Sequence, residues 1–254
     1  DTDDDGLEDG IEAVAIVTPN HLHAQVAEAF LSNGIHIICD KPLTTNLNEA
    51  EALAAAVEET GLVFAVTYNY SGYPMVRQMR EMIESGDLGD LRVIQVEYAQ
   101  DWLTTDIENT GHKQALWRTD PAKAGIGGAI GDIGTHAFHL SEFVTGLHVK
   151  SLLADLDSMV TGRELDDNAS ILMEYTNGEK GMLWVSQIAT GNENGLKIRV
   201  FGTKAGIRWS QENPNFLQFS PLGEPCRSLT RGGPSVGLSA GNATRIPSGH
   251  PEGF

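Results

Sequence analysis

The chain has 254 residues, 41% hydrophobic and 20% charged, with a formal net charge of -18, enough for a packed core of one or two domains. The acidic surface argues against nucleic-acid partners and anionic membranes, and no apolar run approaches the ~20 residues of a membrane span. The two cysteines, Cys39 and Cys226, stand far apart in no CxxC pattern, which suggests neither a disulfide framework nor a structural zinc and makes a reducing, cytoplasmic setting the expectation.

The chain opens Asp1-Thr2-Asp3-Asp4-Asp5, without an initiator Met or a signal peptide, and ends Pro251-Glu252-Gly253-Phe254 with no closing element. Both ends are expected to be cuts in a longer protein. The β-branched run over 11–17 reads as a strand buried on both faces. A helix follows over 21–33, with Val26, Ala27, Phe30 and Leu31 on its apolar face and Asn33-Gly34 as its stop. A second strand covers 36–39. Leu47, Ala50, Leu53, Ala54 and Val57 then mark a helix ended by Gly61, and 62–67 is a third strand. This β-α-β-α-β order is the grammar of a parallel, doubly wound sheet.

The grammar changes near Gly72. A helix is expected around 76–83, stopped by Ser85-Gly86, then a half-exposed strand over 91–98. The polar stretch 104–123 lacks periodicity and reads as a long functional loop. A helix over 133–147 precedes strand-like runs at 149–159, 169–175, 181–188, 197–201, 207–209 and 216–219, with an Asn177-Gly178 hairpin turn. From Pro221 onward Gly, Pro and Ser predict loop. The expected fold is α/β: a partial Rossmann doubly wound parallel sheet over 1–72, then an α+β domain over 73–254 with a large, mainly antiparallel open sheet. The exposed face of that sheet would suit a homo-oligomer, a dimer or tetramer.

Two stretches carry chemistry. Asp40-Lys41-Pro42 follows the second strand, at the carboxyl end where α/β sheets bind ligands. Asp132 and His136 follow Gly127-Gly128, and on a helix i and i+4 share a face. A carboxylate beside an imidazole orients it and favours its protonated form, which suits a general base. The alternative is that Asp132 caps the helix, with His136 a satisfied core residue. A rival reading groups Asp132, His136 and His139 as metal ligands. Thr18-Pro19-Asn20-His21-Leu22-His23 ends a strand and opens a helix, where anions and cofactor hydroxyls bind; the alternative is an Asn20 cap. Trp117-Arg118 pairs an apolar plate with a fork of donors.

Together these stretches, with Tyr68-Asn69-Tyr70, resemble the Gfo/Idh/MocA family of NAD(P)-dependent oxidoreductases over nearly the whole chain. The resemblance implies hydride transfer between NAD or NADP and a sugar, polyol or inositol-like substrate. By motif, Lys41 would touch substrate oxygen and cofactor ribose, His136 would be the acid/base, and Asp132 its substrate-side partner. Thr18, Pro19, Asn20, His23, Asp40, Asn69, Trp117 and Arg118 would meet the cofactor. No metal is implied. Asp40 stands where the family has Glu, a carboxylate shorter by one methylene. The family's first strand, its GxGxxG turn and the acidic residue choosing between NAD and NADP would precede Asp1.

Overall fold

The computed structural model describes residues 10–250. The acidic opening and the last four residues, on which the expectation of cut ends rests, lie outside the described residues.

The first sheet holds β1 (Ala13–Ile16), β2 (His36–Cys39) and β3 (Phe64–Val66), all parallel and in that order. Each crossover is helical: α1 (His23–Leu31) behind a 3-10 turn at Asn20–Leu22, then α2 (Leu47–Thr60). The Asn46 side chain caps α2 by accepting from Glu49 N, and Gly61 ends it at φ 65°, a left-handed conformation that glycine adopts without a Cβ clash. Both helices lie on one face of the sheet. Ala24, Ala27, Leu31 and Leu53 pack there on Ile16, Ile37 and Cys39. The run over 11–17 is expected to be buried on both faces, and it is not: Ala13 and Ala15 are exposed on the other side, as is Ile38 of β2 at 47%. No described element covers that side.

The second sheet has eight strands in the order β11-β10-β9-β8-β4-β7-β6-β5. These are β4 (Leu91–Ala99), β5 (Val149–Asp157), β6 (Asn168–Tyr175), β7 (Lys180–Ser186), β8 (Gly195–Gly202), β9 (Ala205–Ser210), β10 (Phe216–Pro221) and β11 (Arg227–Thr230). β4 runs parallel to β7 and the other neighbours are antiparallel. The Asn177-Gly178 turn closes the β6–β7 hairpin, with Gly178 at φ 102°. Residues largely alternate along β4 and β6 to β9, whereas β5 is exposed along most of its length. Ile94, Val96, Ile171, Leu183, Ile198 and Ile207 point into the core under α3 (Pro74–Glu84) and α6 (Thr135–Thr145), while Leu172, Met182, Trp184 and Arg208 face outward.

Two expectations are corrected. The polar stretch 104–123 is not featureless loop: it contains a 3-10 turn at Ile107–Thr110, α4 (Lys113–Arg118) and α5 (Pro121–Ala124). Arg163 pins its start. The guanidinium holds Glu108 through both carboxylate oxygens, at 3.0 Å each, and also Asp167 and the Leu103 and Thr105 carbonyls. Periodicity is blind to such an anchor because a single distant side chain provides it. The tail after Pro221 likewise gains β11 and α7 (Leu238–Ala243). Buried Arg231 gathers it by donating to the carbonyls of Ile246, Pro247 and His250.

Replacing Arg163 by Met would leave Asp167 buried beside no cation. Removing one partner of a buried pair costs about 3–5 kcal/mol. Urea denaturation should show a loss of that size; a loss below ~1 kcal/mol would mean that the cluster contributes little.

Candidate active site

The chain leaving β2 and β3 meets the amino end of α6 at a polar, partly open junction, where the Lys41 and Asp132 side chains stay 14% and 18% exposed and Tyr68 meets His136. Lys41 follows β2 directly. Its neighbour Asp40 accepts from Lys41 N at 2.9 Å and from the Thr67 hydroxyl at 2.8 Å, which ties the ends of β2 and β3 together. Buried His23 lies with one ring nitrogen 2.8 Å from the Pro42 carbonyl and the other 2.9 Å from the Thr18 carbonyl. It braces the Lys41 turn against the end of β1. The Lys41–Pro42 peptide is cis.

From the other half, a π-helical turn at Ile130–Gly134 leads into α6. Lys41 Nζ donates to Asp132 Oδ1 at 2.7 Å and to the Asp132 carbonyl at 2.6 Å. On Oδ2, Asp132 accepts from Gln187 Nε2 at 2.9 Å and meets Arg118 Nε at 3.3 Å. Burial alone would raise this carboxyl, but the Lys41 and Arg118 charges hold it below the usual range. Asp132 is therefore no helix cap; its carboxylate gathers three donors from three separate segments.

His136 lies beyond Asp132, buried among Tyr68, Tyr70 and Tyr98, with the Tyr70 ring edge-on at 4.8 Å between centroids. Its Nδ1 is buried without a hydrogen-bond partner. Burial, and then the Lys41 charge, push the imidazole down to about 3, although Asp132 pulls the other way. Asp132 does favour the protonated ring, as expected, but burial and the Lys41 charge outweigh it, and the ring sits neutral at pH 7. His139 does not join it. Its ring stacks on Tyr68 at 4.4 Å, and among the described residues no three His, Cys, Asp or Glu side chains are grouped to hold a metal. The metal grouping of Asp132, His136 and His139 is not formed.

The remaining expected residues surround this core. Asn20 is buried and donates to the Ala124 carbonyl at 3.0 Å, which joins the two halves rather than capping a helix. Thr18 Oγ1 is buried without a partner. Pro19 precedes the 3-10 turn, and Asn69 opens another one just past β3. Arg118 stacks over Trp117 at 4.1 Å while it reaches Asp132. Sequence reasoning missed Gln187 and the polar chain from Tyr70 through Tyr98 to Asn194, with oxygens 2.5 and 2.7 Å apart. A glutamine ending a strand carries no sequence signal. Tyr70 at least stood in a noted tripeptide.

A parallel strand-end lysine facing an aspartate–histidine helix from a second, open sheet defines a two-sheet α/β protein with its cleft between the sheets. The NAD-binding Rossmann model of the oxidoreductase family matches residues 2–68, and the GFO/IDH/MocA C-terminal domain matches residues 76–208. The chain belongs to the Gfo/Idh/MocA oxidoreductase family. It is 40% identical to the uncharacterized oxidoreductase YfiI of Bacillus subtilis, over 97% of this chain and 63% of that protein. It is 31% identical to levoglucosan dehydrogenase of Pseudarthrobacter phenanthrenivorans, over 82% of this chain and 57% of the relative. An inositol dehydrogenase homolog of Azotobacter vinelandii, solved with NADH and myo-inositol, superposes with a TM-score of 0.89 at 38% identity, over 96% of this chain and 62% of that one. The chain thus spans less than two thirds of each relative's length.

The depressed His136 has a consequence for stability. Its ordinary value is 6.5 and its folded value about 3, so between these the unfolded state binds more protons. Stability therefore falls as pH drops through that window. His136→Asn removes this titration. Its melting temperature should fall less steeply than the parent's between pH 6.5 and about 4; parallel curves would contradict the assignment.

Proposed function

We propose that the complete protein is a nicotinamide-dependent dehydrogenase oxidising a hydroxyl-bearing carbon of a sugar, polyol or inositol-like substrate. The observation that carries this reading is the meeting of Lys41, from the parallel sheet, with Asp132 and a neutral His136 from the other half. An alcohol loses its proton most readily to a neutral base beside a fixed cation, and these residues supply both. His136 accepts the hydroxyl proton. The Lys41 ammonium stabilises the developing alkoxide, and Asp132 keeps that ammonium in place.

The cofactor is NAD or NADP. The unpartnered Thr18 hydroxyl at the end of β1 suits a ligand rich in hydroxyls and phosphate oxygens. Thr18, Pro19, Asn20, His23, Asp40, Lys41 and Asn69 would form its wall from the first half, and Trp117 and Arg118 from the second. When bound, a nicotinamide supplies the hydride acceptor. On this reading 1–72 is the C-terminal part of the dinucleotide-binding domain, and 73–254 binds substrate and a second subunit. Two free cysteines fit a cytoplasmic setting. No helix among the described residues is long and apolar enough to cross a membrane.

With full-length protein, NAD or NADP and a panel of polyols, Lys41→Ala and His136→Ala should each lower kcat at least ~100-fold. Wild-type kcat in either variant would overturn the reading.

The open face of the large sheet supports a homo-oligomer. A hollow of about 950 Å³ there is lined by Leu153, Leu172, Met182, Trp184 and Phe216. Arg199 and Arg208, partners in register, stand among these apolar residues, as does Asp155. A two-fold axis sets one patch against its own copy, so arginines of one subunit can meet the aspartate of the other. Light scattering should report a dimer or tetramer. Leu172→Glu should shift it toward monomer; an unchanged mass would place the interface elsewhere.

A further inference from the structure

We propose that Asp166 is the positioning residue of this cleft, fixing the turn from which Asp132 and His136 project. The proposal rests on the roles given above to Lys41, Asp132 and His136. A helix start leaves amide donors unpaired, and a nearby Ser, Thr, Asp or Asn ordinarily caps them. No local cap exists here, because Asp132 is turned to Lys41. Asp166, from the loop between β5 and β6, takes the part instead. Its Oδ1 accepts from Gly128 N at 2.7 Å, its carbonyl from Ala129 N at 2.8 Å and its Oδ2 from Ile130 N at 2.8 Å. Three successive amides are thus held by one residue. The approach is close enough that a Cβ on Gly128 would lie 2.1 Å from the Asp166 carbonyl oxygen.

The same loop reaches Asp132 from its other side. Asp167, fully buried, accepts from Met159 N, Val160 N and Arg163, which makes the loop rigid. Its carbonyl accepts from Gln187 N at 2.9 Å, and the Gln187 side chain donates to Asp132. One two-residue segment therefore fixes both the turn beneath Asp132 and the amide that orients its carboxylate. Capping from a distance leaves Asp132 free for the cleft.

The test compares Asp166→Ala, Asp166→Asn and, as a control, His136→Ala in the full-length protein. Asn keeps the shape but presents an NH2 group to one of the amides. Two readouts are needed: amide exchange by mass spectrometry without cofactor, and the first-order rate constant of a single turnover with enzyme in excess. A merely structural defect lowers the turnover amplitude, not its rate constant. Asp166→Ala should speed exchange over 128–136 alone and slow the rate constant about 10- to 100-fold, as expected for a misplacement near 1 Å, with Asp166→Asn in between. A rate constant within twofold of wild type in the folded Asn variant overturns the proposal. So does faster exchange spread evenly over both sheets. Wild-type turnover in His136→Ala would instead overturn the dehydrogenase reading itself.

Discussion

The contact on which the rest of the cleft depends is the pair formed by Lys41 and Asp132, 91 residues apart, at 2.7 Å. Neither side chain is wholly buried, so its net contribution to stability is modest. Its value is geometric. Lys41 is fixed from behind by Asp40, Thr67 and His23, and Asp132 is fixed from behind by Gln187 and Arg118. Two rigid strand ends and one helix start are therefore brought into register through a single charge-assisted bond. Asn20, bonded to the Ala124 carbonyl, repeats the join a short distance away.

This arrangement places two cations around one carboxylate. Arg118 comes from α4, inside the stretch whose opening Arg163 anchors, so its position depends on an ion cluster remote from the cleft. Stacking on Trp117 holds the guanidinium plane. The acidic surplus of the chain as a whole gives no hint of these two cations gathered on one carboxylate. Net charge describes long-range attraction, whereas the cleft is governed by groups within a few ångströms.

Much of the fold was legible because it follows local rules. The His36–Cys39 strand, the α2 helix with its Gly61 stop and the Asn177-Gly178 hairpin arise from periodicity and turn chemistry within a few residues. Lys41, Asp132 and His136 were legible as residue types at telling places, and the structure brings them together. What could not be read depends on single long-range bonds. Arg163 and Arg231 organise segments that look structureless in sequence, and Gln187 and Asp166 act through partners 55 and about 38 residues away. The i, i+4 argument also assumed a regular α-helix, whereas Asp132 lies in a π turn whose wider ring changes where its carboxylate points.

The unpartnered Nδ1 of His136 completes the physical account. A buried nitrogen without a hydrogen bond costs roughly 1–3 kcal/mol, and a bond to Asp132 would remove that cost. The carboxylate is instead claimed by an ammonium, a guanidinium and an amide, and charged donors make stronger bonds to it than a neutral ring can. The histidine is left to three tyrosine rings, which offer it apolar edges and faces. Had the imidazole won the carboxylate, that contact would favour its protonated form, and a protonated ring cannot take a proton from an alcohol. Burial among those rings, and then the Lys41 ammonium that Asp132 holds in place, keep the neighbouring base neutral against the pull of the carboxylate itself.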